Sequence, residues 1–185
     1  MKVSKIYFAT TNEGKIAEAK TLLGIGIEGC GLPIDEIQSL DASEVARKKA
    51  LAYYEKLQKP ILVEDVSLTF QALNGLPGTY INDFSKVLDN KGLCHLMRDE
   101  KDRCATAITT LVFIDSEGTP HEFVGEVHGD ITKEPRGEKG FGWDPIFQPN
   151  GSDKTLAEMD IEEKNTYSMR ARAFEKFKTW LETQE

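Results

Sequence analysis

Pro60-Ile61-Leu62-Val63-Glu64-Asp65 decides the fold class. An apolar run behind a proline enters a buried strand, and the strand delivers two carboxylates at its end. Helical patterns precede it. Ser43 to Leu57 reads as a helix, with Ser43 as its N-cap and Pro60 beyond its end. Earlier still, Val3 to Ala9 reads as an opening strand. Glu13 to Leu23 follows as a helix, with Ile16, Ala19, Leu22 and Leu23 at helical spacing and Gly24 and Gly26 as its stop. A short strand is expected near Ile27 to Leu32. Strand and helix alternate through this half, which predicts an α/β protein with a largely parallel sheet.

The pattern then changes. Ala105 to Ile114 is rich in Thr, Val, Ile and Phe and reads as a long strand. Asp115-Ser116-Glu117-Gly118 is turn chemistry, and Glu122 to His128 alternates like a half-buried strand. The pair predicts an antiparallel hairpin, so the sheet is mixed. A last helix is expected from Tyr167 to Leu181, with Arg170, Ala173, Phe174, Phe177, Trp180 and Leu181 on one face. A chain of 185 residues suffices for a single domain, residues 1–185, with room for two lobes.

A net charge of −8 argues against a nucleic-acid surface, which carries a basic patch. It leaves room for a small anionic substrate, because a few local lysines outweigh a distant field. Cys30, Cys94 and Cys104 form no CxxC pair and read as free thiols in a reducing compartment. His95, His121 and His128 have no spacing that would pair with them around zinc. No apolar run approaches the roughly 20 residues of a membrane span, and the first strand leaves no room for a signal peptide. A cytoplasmic protein without membrane or nucleic-acid partners is expected.

Four segments carry chemistry. Thr10-Thr11-Asn12-Glu13-Gly14-Lys15 joins a strand to a helix. A helix N-terminus with a lysine and two hydroxyls suits phosphate, although GxxxxGK[ST] is absent. The same residues equally suit an ordinary cap beside a solvated lysine. Glu64 and Asp65 suit Mg²⁺, which takes one or two carboxylates and completes its shell with phosphate oxygens, or the orientation of a water. They also suit the start of a turn, and Glu36 suits a solvated loop acid as well as a metal ligand. Gly137-Glu138-Lys139-Gly140-Phe141-Gly142-Trp143-Asp144-Pro145 offers close backbone approach, rings that stack on a flat base, and a carboxylate to read its edge. Its aromatics suit a core as well. Lys49, Lys164 and Arg170 gain weight only because a triphosphate needs several cations.

In their order along the chain these segments resemble the inosine triphosphate pyrophosphatase family. The match includes Thr10 to Lys15, Glu64-Asp65-Val66-Ser67-Leu68, Gly75-Leu76-Pro77-Gly78-Thr79-Tyr80-Ile81 and Pro135-Arg136-Gly137. It continues through Gly140-Phe141-Gly142-Trp143-Asp144-Pro145-Ile146-Phe147, Ala157-Glu158-Met159 and Glu163-Lys164-Asn165, and extends from about residue 5 to residue 180. The resemblance implies an elongated, curved mixed β-sheet flanked by helices, two lobes with a central active-site cleft, and a homodimer. It implies Mg²⁺-dependent hydrolysis of ITP, dITP and XTP between the α and β phosphates. Asp65 would be catalytic and, with Glu36, would bind the metal. Thr10, Thr11, Asn12, Glu13, Gly14, Lys15 and Lys49 would hold phosphates. Phe141, Gly142, Trp143 and Asp144 would take the base, and Lys164 and Arg170 its 6-oxo edge.

Three positions depart from the family pattern. Ser168-Met169-Arg170 stands for Ser-His-Arg, and methionine donates no hydrogen bond to a base. Asn82 stands where some members carry a lysine, and Val66 stands for a hydroxyl residue beside the substrate. A related pyrophosphatase for pyrimidine or modified nucleotides, and a nucleotide-binding regulator that has lost catalysis, are the other readings. The Phe-Gly-Trp-Asp-Pro loop opposes the first. Retention of Glu36, Asp65 and Lys15 opposes the second. Met169→His is expected to sharpen the preference for ITP over ATP, measured as the ratio of the two kcat/KM values.

Overall fold

The computed structural model of the chain describes residues 5–184. Its strands form one mixed sheet in the order Gly26–Gly29, Lys5–Phe8, Ile61–Phe70, Cys104–Ile114, Pro120–Ile131, Phe147–Pro149, with Pro77–Gly78 paired to Ile61–Phe70. β1 is Lys5–Phe8, and the expected first residues of that strand, Val3 and Ser4, lie outside the described residues. α1 is Glu13–Leu23, as its spacing predicts; Asn12 caps it by accepting from the Lys15 N–H, and Gly24 ends it at φ 67°. β2, Gly26–Gly29, stops short of Leu32, and both β2 and β3 run parallel to β1.

α2 is Ala42–Leu57, and its N-cap is Asp41 rather than Ser43. The Asp41 carboxylate accepts from the N–H groups of Ser43 and Glu44, while the Ser43 hydroxyl donates to Glu122 at 2.7 Å. β3 is Ile61–Phe70, so Glu64 and Asp65 sit within a strand and not at its end. The alternation Val66-Ser67-Leu68-Thr69-Phe70 carries the strand past the acids. β4 is Pro77–Gly78 and pairs antiparallel with β3.

α3, Ile81–Leu96, was not anticipated. It is broken at Asp89, whose φ of 55° and ψ of −175° are not helical. β5, Cys104–Ile114, and β6, Pro120–Ile131, form the expected hairpin. The Asp115 N–H donates to the Thr119 carbonyl, and the Asp115 carboxylate accepts from the Glu117 and Thr119 N–H groups. β6 runs beyond His128 and pairs antiparallel with β7, Phe147–Pro149. The last helix, expected from Tyr167 to Leu181, is α5, Met169–Thr183, and a short helix before it, α4, Ile161–Tyr167, capped by Asp160, was not anticipated. Among the described residues no helix is long and apolar enough to cross a membrane.

The chain divides into two compact units. The first is drawn from Met1–Asp65, Thr109–Gly125 and Arg172–Glu185, the second from Val66–Ile108 and Glu126–Ala171. Each has its own apolar interior. In the first, Ile6, Phe8, Leu23, Leu62, Leu111, Phe174 and Phe177 form one cluster, and Ala46, Ala50, Tyr53, Ile61, Val63 and Val112 a second. The α5 face named by its spacing is buried at Ala173, Phe174 and Phe177. In the second unit Leu68, Phe70, Ile81, Leu93, Ile131, Trp143, Ile146 and Phe147 pack together.

At Gly129 β7 lies close against β6: a Cβ there would collide with the Gln148 carbonyl oxygen and lie 2.9 Å from the Phe147 ring. Gly129→Ala is therefore expected to lower stability by about 2 kcal/mol or more through strain in a packed pair of strands. Thermal or urea unfolding reads this directly, and an unchanged midpoint would show that the strands separate without penalty.

Candidate functional site

In the first unit, the sheet and two helices bring five charged side chains together. β3 supplies Glu64 and Asp65, the first turn of α1 supplies Lys15, α2 supplies Lys49, and the segment before α2 supplies Glu36. The Lys15 ammonium pairs with Glu64 at 2.7 Å, where the Glu64 side chain is only 2% exposed. The Lys49 ammonium pairs with Glu36 at 2.6 Å. Lys15 is thus an anchored cation rather than a solvated one, and the helix cap and the ion pair coexist. Thr10 and Asn12 shape the loop: the Thr10 hydroxyl accepts from the Asn12 N–H, and the Asn12 side chain from the Lys15 N–H. Thr11, Asn12, Glu13 and Gly14 are exposed around the start of α1.

Asp65 is the odd group in this set. Its Oδ2 is buried and has no hydrogen-bond partner. Burial pushes the Asp65 carboxyl up to about 6; Lys49 and Lys15 pull it down, and the Glu36 and Glu64 charges push it up. With every group ionised, two lysines face three carboxylates, which leaves one formal negative charge. A divalent cation would reverse that sign and give the buried oxygen a partner. Among the described residues no group of three or more His, Cys, Asp or Glu side chains forms a metal site by itself.

In the second unit, the glycine-rich loop is built around Asp144. This carboxylate is 4% exposed; its Oδ2 accepts from the Phe141 N–H at 2.9 Å and from the Lys164 ammonium of α4 at 2.8 Å. Gly140, at φ +75°, leaves room for it, because a Cβ at that position would collide with Asp144 Oδ2. The Lys164 ammonium lies 4.7 Å from the centroid of the Phe141 ring, and the Arg170 guanidinium 4.9 Å. Both cations are buried, and both are within cation–π reach of one ring. Phe141 itself is half-buried and Gly142 exposed.

Other expected base contacts take different places. Trp143 is buried edge-on against Phe147 at 5.7 Å, in the core of the second unit. Asp144 is engaged by its own loop and Lys164. Met169 is 4% exposed within the same apolar cluster, so the residue that departs from the family pattern serves packing. Val66 is likewise a core residue. Asn82 is exposed on the first turn of α3.

Sequence reasoning did not see why the distant matched segments travel together. The Ala157 carbonyl accepts from the Lys139 N–H, the Ala157 N–H donates to the Asp144 carbonyl, and the Arg136 N–H donates to the Pro145 carbonyl. Arg136 also pairs with Glu158 at 3.5 Å. Residues 135–137 and 157–159 are therefore staples of the aromatic loop. No local pattern signals this, because the partners lie between 9 and 22 residues apart.

The raised Asp65 pKa has a consequence for stability. Between the ordinary carboxylate range near 3.8 and about 6, the folded chain holds a proton that the unfolded chain releases. The penalty of a buried charge is absent below that window and fully present above it. In chelator, Asp65→Asn is expected to raise stability by about 1–3 kcal/mol at pH 8 and to have little effect at pH 4. Unfolding midpoints across pH test this; a gain of equal size at both ends would remove the titration from the explanation.

The Ham1 family profile matches residues 6–180. A dITP/XTP pyrophosphatase of Methanopyrus kandleri is 42% identical over 179 residues, 95% of each chain. An inosine triphosphate pyrophosphatase of Aspergillus fumigatus is 43% identical over 181 residues, 96% of this chain and 95% of the relative. Among solved structures, a HAM1 protein from Coxiella burnetii superimposes with a TM-score of 0.86 at 29% identity, covering 97% of this chain and 98% of its own. The Staphylococcus aureus Ham1 protein gives 0.85 at 28% identity over 98% of this chain and all of its own. With its mixed α/β sheet, its acidic strand and its aromatic loop matched over nearly their whole length, the chain belongs to the Ham1 family.

Proposed function

We propose that this protein hydrolyses noncanonical purine nucleoside triphosphates (ITP, dITP and XTP) to the monophosphate and pyrophosphate, and so removes them from the nucleotide pool. The observation that carries the reading is the unpartnered, buried Asp65 carboxylate between two lysine–glutamate pairs. It is supported by the names of the relatives, a dITP/XTP pyrophosphatase and an inosine triphosphate pyrophosphatase. A homodimer in the cytoplasm belongs to the same proposal, on the strength of the family resemblance.

In this reading the reaction has a phosphate part and a base part. The phosphate part is electrostatic. Lys15 and Lys49 hold the phosphates, with the start of α1 lending its N–H groups. Asp65 and Glu36 are the ligands for Mg²⁺, which when bound supplies charge neutralisation for the phosphates and the departing pyrophosphate. Asp65, with a pKa near 6, is matched to orienting a water or taking its proton close to neutral pH.

The base part is recognition. Phe141 is the stacking ring, and the side chains of Lys164 and Arg170 can donate hydrogen bonds but not accept them. A 6-oxo group accepts from such donors. A 6-amino group presents another donor, and leaving a buried donor unpaired costs about 1–3 kcal/mol. That corresponds to roughly a five- to hundredfold preference against ATP.

A panel of ITP, XTP, dITP, GTP and ATP with Mg²⁺, scored for pyrophosphate against single phosphate, tests the reading. ITP and XTP are expected to exceed ATP in kcat/KM by at least about fivefold. Release of single phosphate alone would reject cleavage between the α and β phosphates. Asp65→Asn is expected to lower kcat by about a hundredfold or more with the fold retained, and near-normal turnover would remove Asp65 from its role.

A further inference from the structure

The aromatic loop is held from a second direction by a residue that belongs to none of the matched segments. The side-chain amide of Asn90, in α3, donates to the Gly142 carbonyl at 2.9 Å across 52 residues of sequence. Gly142 has a φ of +61° and no side chain of its own to fix it. The Phe141 peptide is thus gripped on both sides: its N–H by Asp144, and the carbonyl of the following residue by Asn90.

Asn90 stands directly after the break in α3. Asp89, at φ 55° and ψ −175°, occupies a region of backbone space left almost entirely to glycine. Such strain persists only where the surroundings impose it, and it concentrates at sites with a task. The Asp89 carboxylate accepts from the Gly92 N–H at 3.0 Å and restarts the helix as a cap does. An unbroken helix would set the direction of residue 90 from its predecessors. The break frees it, and the amide meets the loop.

We propose that Asn90 is a positioning residue for base binding: through the Gly142 carbonyl it keeps the Phe141 ring in place at the Lys164 and Arg170 cations, so that a purine meets a preformed shelf. The inference rests on the reading of Phe141 as the stacking ring. Asn90 touches neither substrate nor metal in this role. It lowers the ordering that the loop would otherwise undergo on binding, and its effect falls on ground-state affinity.

The test uses the full chain with Asn90→Ala, Asn90→Asp, Asn90→Gln, Phe141→Ala and the double Asn90→Ala/Phe141→Ala variant, with ITP kinetics and thermal midpoints for each. Loss of one hydrogen bond is expected to raise the KM for ITP about fivefold in Asn90→Ala, with kcat and the thermal midpoint nearly unchanged. Asn90→Asp, which faces an acceptor with an acceptor, raises it further, and Asn90→Gln, which keeps the amide, recovers most of the affinity. In the double variant the two losses are not additive. An unchanged KM in Asn90→Ala beside a raised KM in Phe141→Ala overturns the tether and leaves the stacking reading intact. An unchanged KM in Phe141→Ala removes the stacking ring and the tether with it. Parallel loss of kcat and thermal midpoint, without recovery in Asn90→Gln, makes Asn90 a structural residue only and also overturns the proposal.

Discussion

A carboxylate oxygen without a partner, buried beside two lysines that are already matched, is the constraint on which the acidic end of this protein turns. Each lysine has its own glutamate, so neither is available to satisfy Asp65. A buried anion left over in this way is unfavourable in the resting protein, and the chain tolerates it by raising the pKa of the group. In the proposed function, a cation that entered would relieve the surplus charge, and phosphate oxygens would then compete with the glutamates for the lysines. On that proposal the two ion pairs are the resting state of the site.

The aromatic loop follows a different logic. Its glycines give it freedom, and a set of fixed polar contacts takes that freedom away. Asp144 does most of this, holding the backbone of Phe141 and the ammonium of Lys164 with one oxygen. The side chain expected to read a base edge instead organises the Phe141 backbone and the Lys164 ammonium. The segments around Arg136 and Ala157 fasten the loop from behind through backbone bonds. Rigidity at a recognition surface raises affinity by lowering the ordering left to do on binding.

How much of this was legible in the sequence depended on range. α1 could be read to the residue because its cap, its spacing and its stop all lie within a dozen positions. The hairpin β5–β6 was legible for the same reason. β3 was cut short because Glu64 and Asp65 looked like an end; only burial beside Lys15 and Lys49, each far off in sequence, lets two acids sit inside a strand. α3 went unread because its break at Asp89 interrupts the spacing and few of its residues are buried. Trp143 and Phe141 are equivalent neighbours on paper, and packing against Phe147 separates the core ring from the half-buried one. The resemblance named the acids, the lysines and the loop. It did not reveal which of these residues touch one another.

The apolar clusters follow the division of the chain: among the described residues none mixes residues of the first unit with residues of the second. Mutational drift in one interior can therefore be compensated by substitutions in that same interior. If the proposed function holds, selection for a new ring preference would act on the core that carries Trp143 and Met169, while Glu64 and Asp65 belong to the unit with the other two cores. A lineage built this way has a modular route to altered substrate range, in which the chemistry is inherited and the reading of the base is free to diverge.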